Sequence, residues 1–214
     1  MLLALDTATP VVTVAVHDGH SVLASSRSES GPRHGELLAP AIAGVLKRGG
    51  VDRRELTEIL VGIGPGPYTG LRVGVVTART LGEVLDVPVH GVVTLDIVAA
   101  AQTALLATGH PFVVATDARR REVFWAKYEG QVRVEGPAVD RPADLAARLD
   151  GVPVVGRGAR LYAELLAPVD GPDDPSAEVL AEARISGAVQ LVAPQPQYLR
   201  RPDVSEPSPR KRVL

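Results

Sequence analysis

Cysteine is missing from the 214 residues, which excludes disulfides, thiolate nucleophiles and cysteine-held metals. Aromatic side chains are scarce, at 3%, so the core has to be built from Val, Leu, Ala and Ile. An excess of one charge is lacking as well. The net charge is −2, with 8 basic and 10 acidic residues before Pro111 and 15 of each from there on. Neither half carries the cationic surplus that grips a phosphate backbone unaided, which argues against an autonomous nucleic-acid binder. No apolar run approaches the ~20 residues of a membrane span, so no membrane association is expected. The first residues reach Asp6 without a basic stretch, so no signal peptide is expected and a soluble, cytoplasmic protein is.

What is present is ordinary globular usage, 45% apolar and 22% charged, in a length that suits one medium domain or two small ones. Leu2 to Leu5, Val12 to Val16 and Val22 to Ser26 read as short strands, the last two joined by an Asp18-Gly19 turn. His34 to Arg48 has helical periodicity, ends at Gly49-Gly50 and contains Pro40, which predicts a kink or a late start. A strand over 58–63, a helix over Leu71 to Leu85, a strand over 88–93 and a helix over Leu95 to Ala107 complete an α/β half with a mixed sheet. The second half starts again with a strand over 112–116, an Asp-containing turn and a hairpin, 122–128 with 131–135, followed by short helices over 144–149 and 161–166 around a strand, 152–155. Two related lobes are expected, 1–110 and a smaller 111–195, with a Pro- and Arg-rich tail at 196–214, partly disordered.

Chemistry could sit at two loops. An apolar strand ending in Asp6-Thr7-Ala8-Thr9 can present amides and a carboxylate to a phosphate or its metal. Ala8 and Pro10 stand where such sites use glycine and free N–H groups, so a buried, turn-capping Asp6 is the better fit. Gly64-Pro65-Gly66-Pro67-Tyr68-Thr69-Gly70 joins a strand to a helix N-terminus, a common place for an anion, with Arg72 one turn on. No Lys-Ser/Thr pair follows it, and two prolines remove donors, so a loop that fixes strand–helix geometry explains it slightly better. His17, His20, His34, His90 and His110 make no i, i+4 helical pair of the kind zinc hydrolases use. His17 and His20 flank a turn and are expected to face solvent, and His34 with Glu36 to cap a helix.

Apolar surface is the other feature. The first helix carries Leu37, Leu38, Ala41, Ile42, Val45 and Leu46 around most of its perimeter. The next has small Gly74, Ala78 and Gly82 at four-residue spacing, with Val73, Val76, Thr77 and Thr80 on other faces. A subunit interface and burial between the protein's own lobes account for this surface equally well.

Leu3-Ala4-Leu5-Asp6-Thr7-Ala8-Thr9, the loop Gly64 to Arg72, Asp117-Ala118-Arg119-Arg120 with Glu122-Val123-Phe124, and Pro196-Gln197-Tyr198-Leu199-Arg200 together resemble the bacterial TsaB (YeaZ) family, in order from the first strand to near the end of the chain. Pro67 and Tyr68 stand where the family typically has Ser and Phe. The resemblance implies the ASKHA fold of actin, Hsp70 and sugar kinases. It also implies a non-catalytic role in forming threonylcarbamoyladenosine beside the tRNA anticodon. The partner would be TsaD, the transferase whose metal-binding His-x-x-x-His pair this chain lacks, joined by the ATPase TsaE. No cofactor is implied in this chain, ATP and metal belonging to the partners, and tRNA is met only through the complex. Asp6, Thr7, Gly64, Gly66, Thr69, Gly70 and Arg72 would be a degenerate anion site. The contact would use the two N-terminal-lobe helices, through Leu37, Leu38, Ala41, Ile42, Val45, Val73, Val76, Thr77 and Thr80, and the same surface would form a homodimer when TsaD is absent. An ASKHA-type ATPase or small-molecule kinase, or a self-dimerising scaffold unrelated to tRNA, are the alternatives.

Overall fold

The computed structural model of the protein describes residues 1–29 and 33–200. Its first sheet starts with an antiparallel meander, β1 (Leu2–Asp6), β2 (Val11–His17) and β3 (Val22–Glu29), and continues through parallel β4 (Glu58–Gly62) and β5 (Val89–Val92), in the order β3-β2-β1-β4-β5. The second repeats that scheme: β6 (Phe112–Asp117), β7 (Val123–Glu129) and β8 (Val132–Asp140) form an antiparallel meander, and a short parallel β9 (Val154–Val155) flanks β6, giving β8-β7-β6-β9. Strand for strand the smaller sheet follows the first four strands of the larger, as the ASKHA expectation requires.

Strand parity decides what each sheet face meets. Leu3 and Leu5 lie beside Val16, Val14, Ile59 and Val61, and this face is covered by α1 (His34–Gly49) and α2 (Tyr68–Leu85). Leu2, Ala4, Ala15 and Leu60 face the other way, onto α3 (Thr94–Ala100) and a late helix, here α8, spanning Ala177–Ser186. Central β1 is buried on both faces, which is why it reads as an unbroken apolar run rather than an alternating one. The helix expected over 95–107 is divided into α3 and α4 (Thr103–Thr108) at Ala101-Gln102; the second lobe carries α5 (Pro142–Leu149), α6 (Arg157–Leu161) and α7 (Ala163–Leu166).

Two departures matter for function. Helix α8 packs against β1, β2 and β3, so the chain returns to the first lobe and the expected boundary at 195 does not divide the packing. The reason is steric: Ala177 and Ala181 share one buried cluster with Ala4 and Ala15, small residues on both sides, so this helix can come close to the first sheet. The tail expected from 196 is also pinned as far as Arg200; its remainder, 201–214, lies outside the described residues.

The lobes share one core. Phe112, Val114, Ala126, Tyr128 and Val155 of the second sheet join the same apolar cluster as Leu3, Leu5 and Val61, with Leu95, Val98 and Ala99 of α3 between them. An ionic contact adds to it: Asp174, its side chain 1% exposed, pairs with Arg27 of β3 at 2.8 Å and with Arg157 of α6 at 2.7 Å.

Candidate functional site

At the end of β1 the chain turns sharply, and Asp6 caps the turn. Its Oδ1 accepts the Ala8 N–H at 2.7 Å and its Oδ2 the Thr94 hydroxyl at 2.7 Å, while Thr94 Oγ1 in turn accepts the Gly64 N–H at 3.0 Å. Asp6 is fully buried, and that burial pushes its carboxyl up to about 6, against the hydrogen bonds from Thr94 and Ala8 that pull it down; the Asp174 carboxylate adds to the upward push. Thr7 donates its hydroxyl to the Gly70 carbonyl at 2.7 Å. His34, expected to cap the helix with Glu36, is instead buried, its Nε2 donating to the Thr9 carbonyl at 2.8 Å, and no side chain caps the helix start.

The two expected loops therefore close on each other. A Cβ on Gly62 would overlap the Asp6 carboxylate, and one on Gly66 would overlap the Ala8 carbonyl. At Gly66 backbone meets backbone, in the space either loop would need to hold an anion. Of the suggested anion-site residues, Asp6, Thr7, Gly64 and Gly70 are brought together but buried, Gly66 is half-buried, and Thr69 and Arg72 are exposed.

Arg72 points away from the turn, into a stack made by a segment the sequence left as tail. Tyr68 and Tyr198 stack with ring centroids 4.7 Å apart, and the Arg72 guanidinium sits 5.5 and 5.4 Å from the two rings while its Nε donates to the Tyr198 hydroxyl at 2.7 Å. Gln197 donates its N–H to the Ile63 carbonyl at 2.8 Å, and Tyr68 donates its hydroxyl to the Arg200 carbonyl. Arg200 then crosses to the second lobe, donating to the Ala118 carbonyl at 2.9 Å and pairing with Glu122. Residues 196–200 are thus a strap over the space between the lobes, with a cavity of about 170 Å³ beneath it. Tyr68, noted only as a departure from the family loop, is what the strap docks on.

The helix face divides the expected interface residues into two groups. Leu38, Ile42 and Val45 belong to the protein's own core at 1%, 7% and 0% exposure. They recur every third or fourth position and so line the stripe of α1 facing the sheet, which removes them from any surface available to a partner. The small-residue stripe of α2 is likewise internal: Ala78 is fully buried, a Cβ on Gly74 would overlap the Thr7 hydroxyl, and one on Gly82 would overlap Val89. Leu37, Ala41, Val73 and Thr77 are half-buried along the outer edge; Thr80 is exposed and Val76 is 59% exposed. One further expectation fails: His17 is buried, its Nδ1 accepting the Gly19 N–H at 2.9 Å, because the hairpin turn folds back over the ring.

Sequence reasoning missed Thr94 and the strap's anchoring pairs. Thr94 follows a strand with no motif around it; Tyr198 offered a signal, an aromatic standing alone in a proline-rich stretch of a chain poor in aromatics.

The profile of the family described as TsaD, tRNA N6-adenosine threonylcarbamoyltransferase, matches residues 24–166. An uncharacterised protein of Mycobacterium tuberculosis is 40% identical over 205 residues, which cover 94% of this chain and 92% of that one. Escherichia coli TsaB, named a tRNA threonylcarbamoyladenosine biosynthesis protein, is 35% identical over 130 residues, 60% of this chain and 54% of that protein. The chain thus spans about half the length of that relative, and 55% of an uncharacterised Mycobacterium leprae protein 39% identical to it. A crystal structure from Pseudomonas aeruginosa, described as an uncharacterised protein with similarity to peptidase YeaZ, superposes with a TM-score of 0.76 at 31% identity, over 93% of this chain and 99% of that one. Shared sequence from the first meander to α7 and a shared two-sheet architecture together make this chain a member of the TsaD-type family, on its TsaB (YeaZ) branch.

Proposed function

We propose that this chain is a non-catalytic partner subunit in the formation of threonylcarbamoyladenosine on tRNA, binding a TsaD-type transferase and supporting it. The observation that carries this reading is the closure of the two loops. Asp6 is spent on Ala8 and Thr94, Gly66 lies against the Ala8 carbonyl, and the strap covers the space between the lobes. A kinase or ATPase of this fold needs that space for a phosphate chain and its metal. The sequence also has no two histidines four residues apart, so the metal-holding pair of the transferase has no counterpart here.

With the reaction centre closed, the chain's contribution would be surface. The outer edge of α1 and α2, Leu37, Ala41, Val73, Val76, Thr77 and Thr80, offers a shallow, mostly uncharged strip on a rigid two-helix base. Such a strip supports docking of a paralogue's matching helices as a bundle. The same strip would hold a second copy of this chain when the transferase is absent. The TsaE-type ATPase would join the assembled pair, tRNA would be met only through it, and ATP and metal would reside in the partners. The setting would be cytoplasmic.

The test is size-exclusion chromatography of this chain with and without a TsaD-type transferase, repeated with the double variant Val76→Glu, Thr80→Arg. That pair keeps a favourable i, i+4 arrangement on the helix. It places charge on a surface that must become dry, where taking each ion out of water costs several kcal/mol and micromolar association is worth only about 8. The wild type should elute with the transferase, and the double variant should elute alone with an unchanged melting temperature. A wild-type chain that does not bind, or that transfers threonylcarbamoyl groups alone, overturns the reading. Calorimetry with ATP and magnesium tests the kinase alternative, for which tight binding is required.

A further inference from the structure

Away from the strap, a second cavity of about 390 Å³ opens between the lobes. Asp96, Ala99 and Ala100 of α3 and Leu106 of α4 form one side; Tyr128 at the end of β7 and Arg133 on β8 form the other. Gln131 and Gln190 supply amides at its rim. Neither the proposed docking strip nor the closed loops use any of these residues.

The polar groups here are incomplete. Tyr128 donates its hydroxyl to Asp96 Oδ1 at 2.7 Å, but among the described residues nothing donates to Asp96 Oδ2. Arg133 Nη1 lies 3.5 Å from Asp96 Oδ1, beyond good hydrogen-bond length for this pair, and has no hydrogen-bond partner among the described residues although it is shielded from solvent. Burial raises the Asp96 carboxyl above its ordinary range despite Tyr128 and Arg133, and raises the Tyr128 hydroxyl further. The Asp96 carboxylate and the Arg133 side chain, 13% and 21% exposed, thus line a half-enclosed cavity beside each other, with the small aliphatic side chains of Ala99, Ala100 and Leu106 on the Asp96 wall.

We propose that this cavity binds a free α-amino acid, its ammonium on Asp96 and its carboxylate on Arg133. The charges of an α-amino acid sit on adjacent carbons, so a site for it needs opposite charges within a few ångströms of each other, as these are. The site's net charge is zero, and a zwitterion leaves it zero; a simple anion would face Asp96 and a simple cation Arg133, each unfavourable where water is partly excluded. Ala99, Ala100 and Leu106 leave room for an aliphatic side chain of modest size. The proposal does not depend on transferase binding.

The experiment is a thermal-shift and saturation-transfer NMR titration of the full chain with glycine, L-alanine, L-valine and L-leucine, with propionate and n-butylamine as the half-charged controls. At least one amino acid should bind and raise the melting temperature, with neither control doing so. Arg133→Met and Asp96→Asn should each weaken binding by about tenfold or more, the usual effect of losing a charge-assisted hydrogen bond. Ala100→Leu, which fills the cavity from its half-buried wall and leaves the Asp96–Tyr128–Arg133 contacts in place, should abolish binding in a chain as stable as wild type. This variant keeps the test decisive if either charge variant fails to fold. Absence of binding by all four amino acids, equal binding of propionate, or binding that survives Ala100→Leu would overturn the proposal and leave the three side chains as an interlobe contact.

Discussion

Replacing Asp6 by Asn tests whether the first loop is sealed. The carboxyl rises from 3.8 to about 6 on folding, chiefly through burial. At about 1.4 kcal/mol for each tenfold change in proton affinity, that displacement corresponds to roughly 3 kcal/mol. Its sign follows from linkage. The folded chain holds this proton more tightly than the unfolded chain, so the native state binds more protons between the two values and wild-type stability falls as pH rises through that window. Below about pH 4 the side chain is neutral in both states and the penalty is absent; above about pH 6 the penalty is fully present. The Asn variant keeps the size and cannot ionise. Urea unfolding followed by circular dichroism should therefore show the variant gaining about 3 kcal/mol on wild type between about pH 4 and about pH 7, whatever the two absolute values are. Groups not coupled to Asp6 titrate alike in both proteins and cancel in the difference; the Asp174 carboxylate, which contributes least to the Asp6 shift, adds only a small remainder. A difference independent of pH would mean that Asp6 ionises without cost, hence that water or an open anion site reaches it, and the sealed-loop argument would fail. Transferase binding should be unaffected, because Asp6 lies beneath the docking strip and not on it.

Ala78→Leu puts three more heavy atoms where α2 lies against the sheet, at a fully buried position, and should cost about 1–3 kcal/mol, lowering the melting temperature of the isolated chain by several degrees. Ile42→Glu should fail to fold rather than merely fail to bind, since a carboxylate would replace a core side chain that is 7% exposed; a folded, soluble variant by circular dichroism would contradict the assigned helix face. Tyr198→Ala removes the ring stacked on Tyr68 and the hydroxyl that accepts from Arg72, so amide exchange over 194–200 should speed up by about tenfold while β1 and β4 stay protected. Asp174→Asn leaves Arg27 and Arg157 without their shared carboxylate and should cost about 1–3 kcal/mol, most of it recovered in neither single arginine variant, as measured by a double-mutant cycle.

How much of this was legible in the sequence differs from element to element. Both meanders, the order of strands and helices through α2, and the repetition of one scheme in two lobes follow from short apolar runs separated by turn residues. Helix α8 was not legible because its inward residues are mostly alanines, which give weak apolar contrast; only the matching Ala4 and Ala15 across from them make the packing sensible. The inward stripe of α1 was hidden for the opposite reason. Leu37 and Leu38, or Ala41 and Ile42, are apolar neighbours, and only the seating of the helix on β2 and β3 chooses Leu38 and Ile42 for the core. In α2 the same choice falls between Val75, buried, and Val76, exposed. At the candidate site the ambiguity lies in glycine itself. Gly66 and Gly70 say that something passes within van der Waals contact of the backbone, and in a strand–loop–helix setting a phosphate is one such thing. Another stretch of the same chain satisfies an equal demand. Here the near objects are the Ala8 and Thr7 carbonyls, acceptors that would repel a phosphate oxygen rather than bind it. A glycine-rich loop whose space is taken by the first turn acts as a structural joint, and under the proposed reading the surface built on that joint is what a partner would recognise.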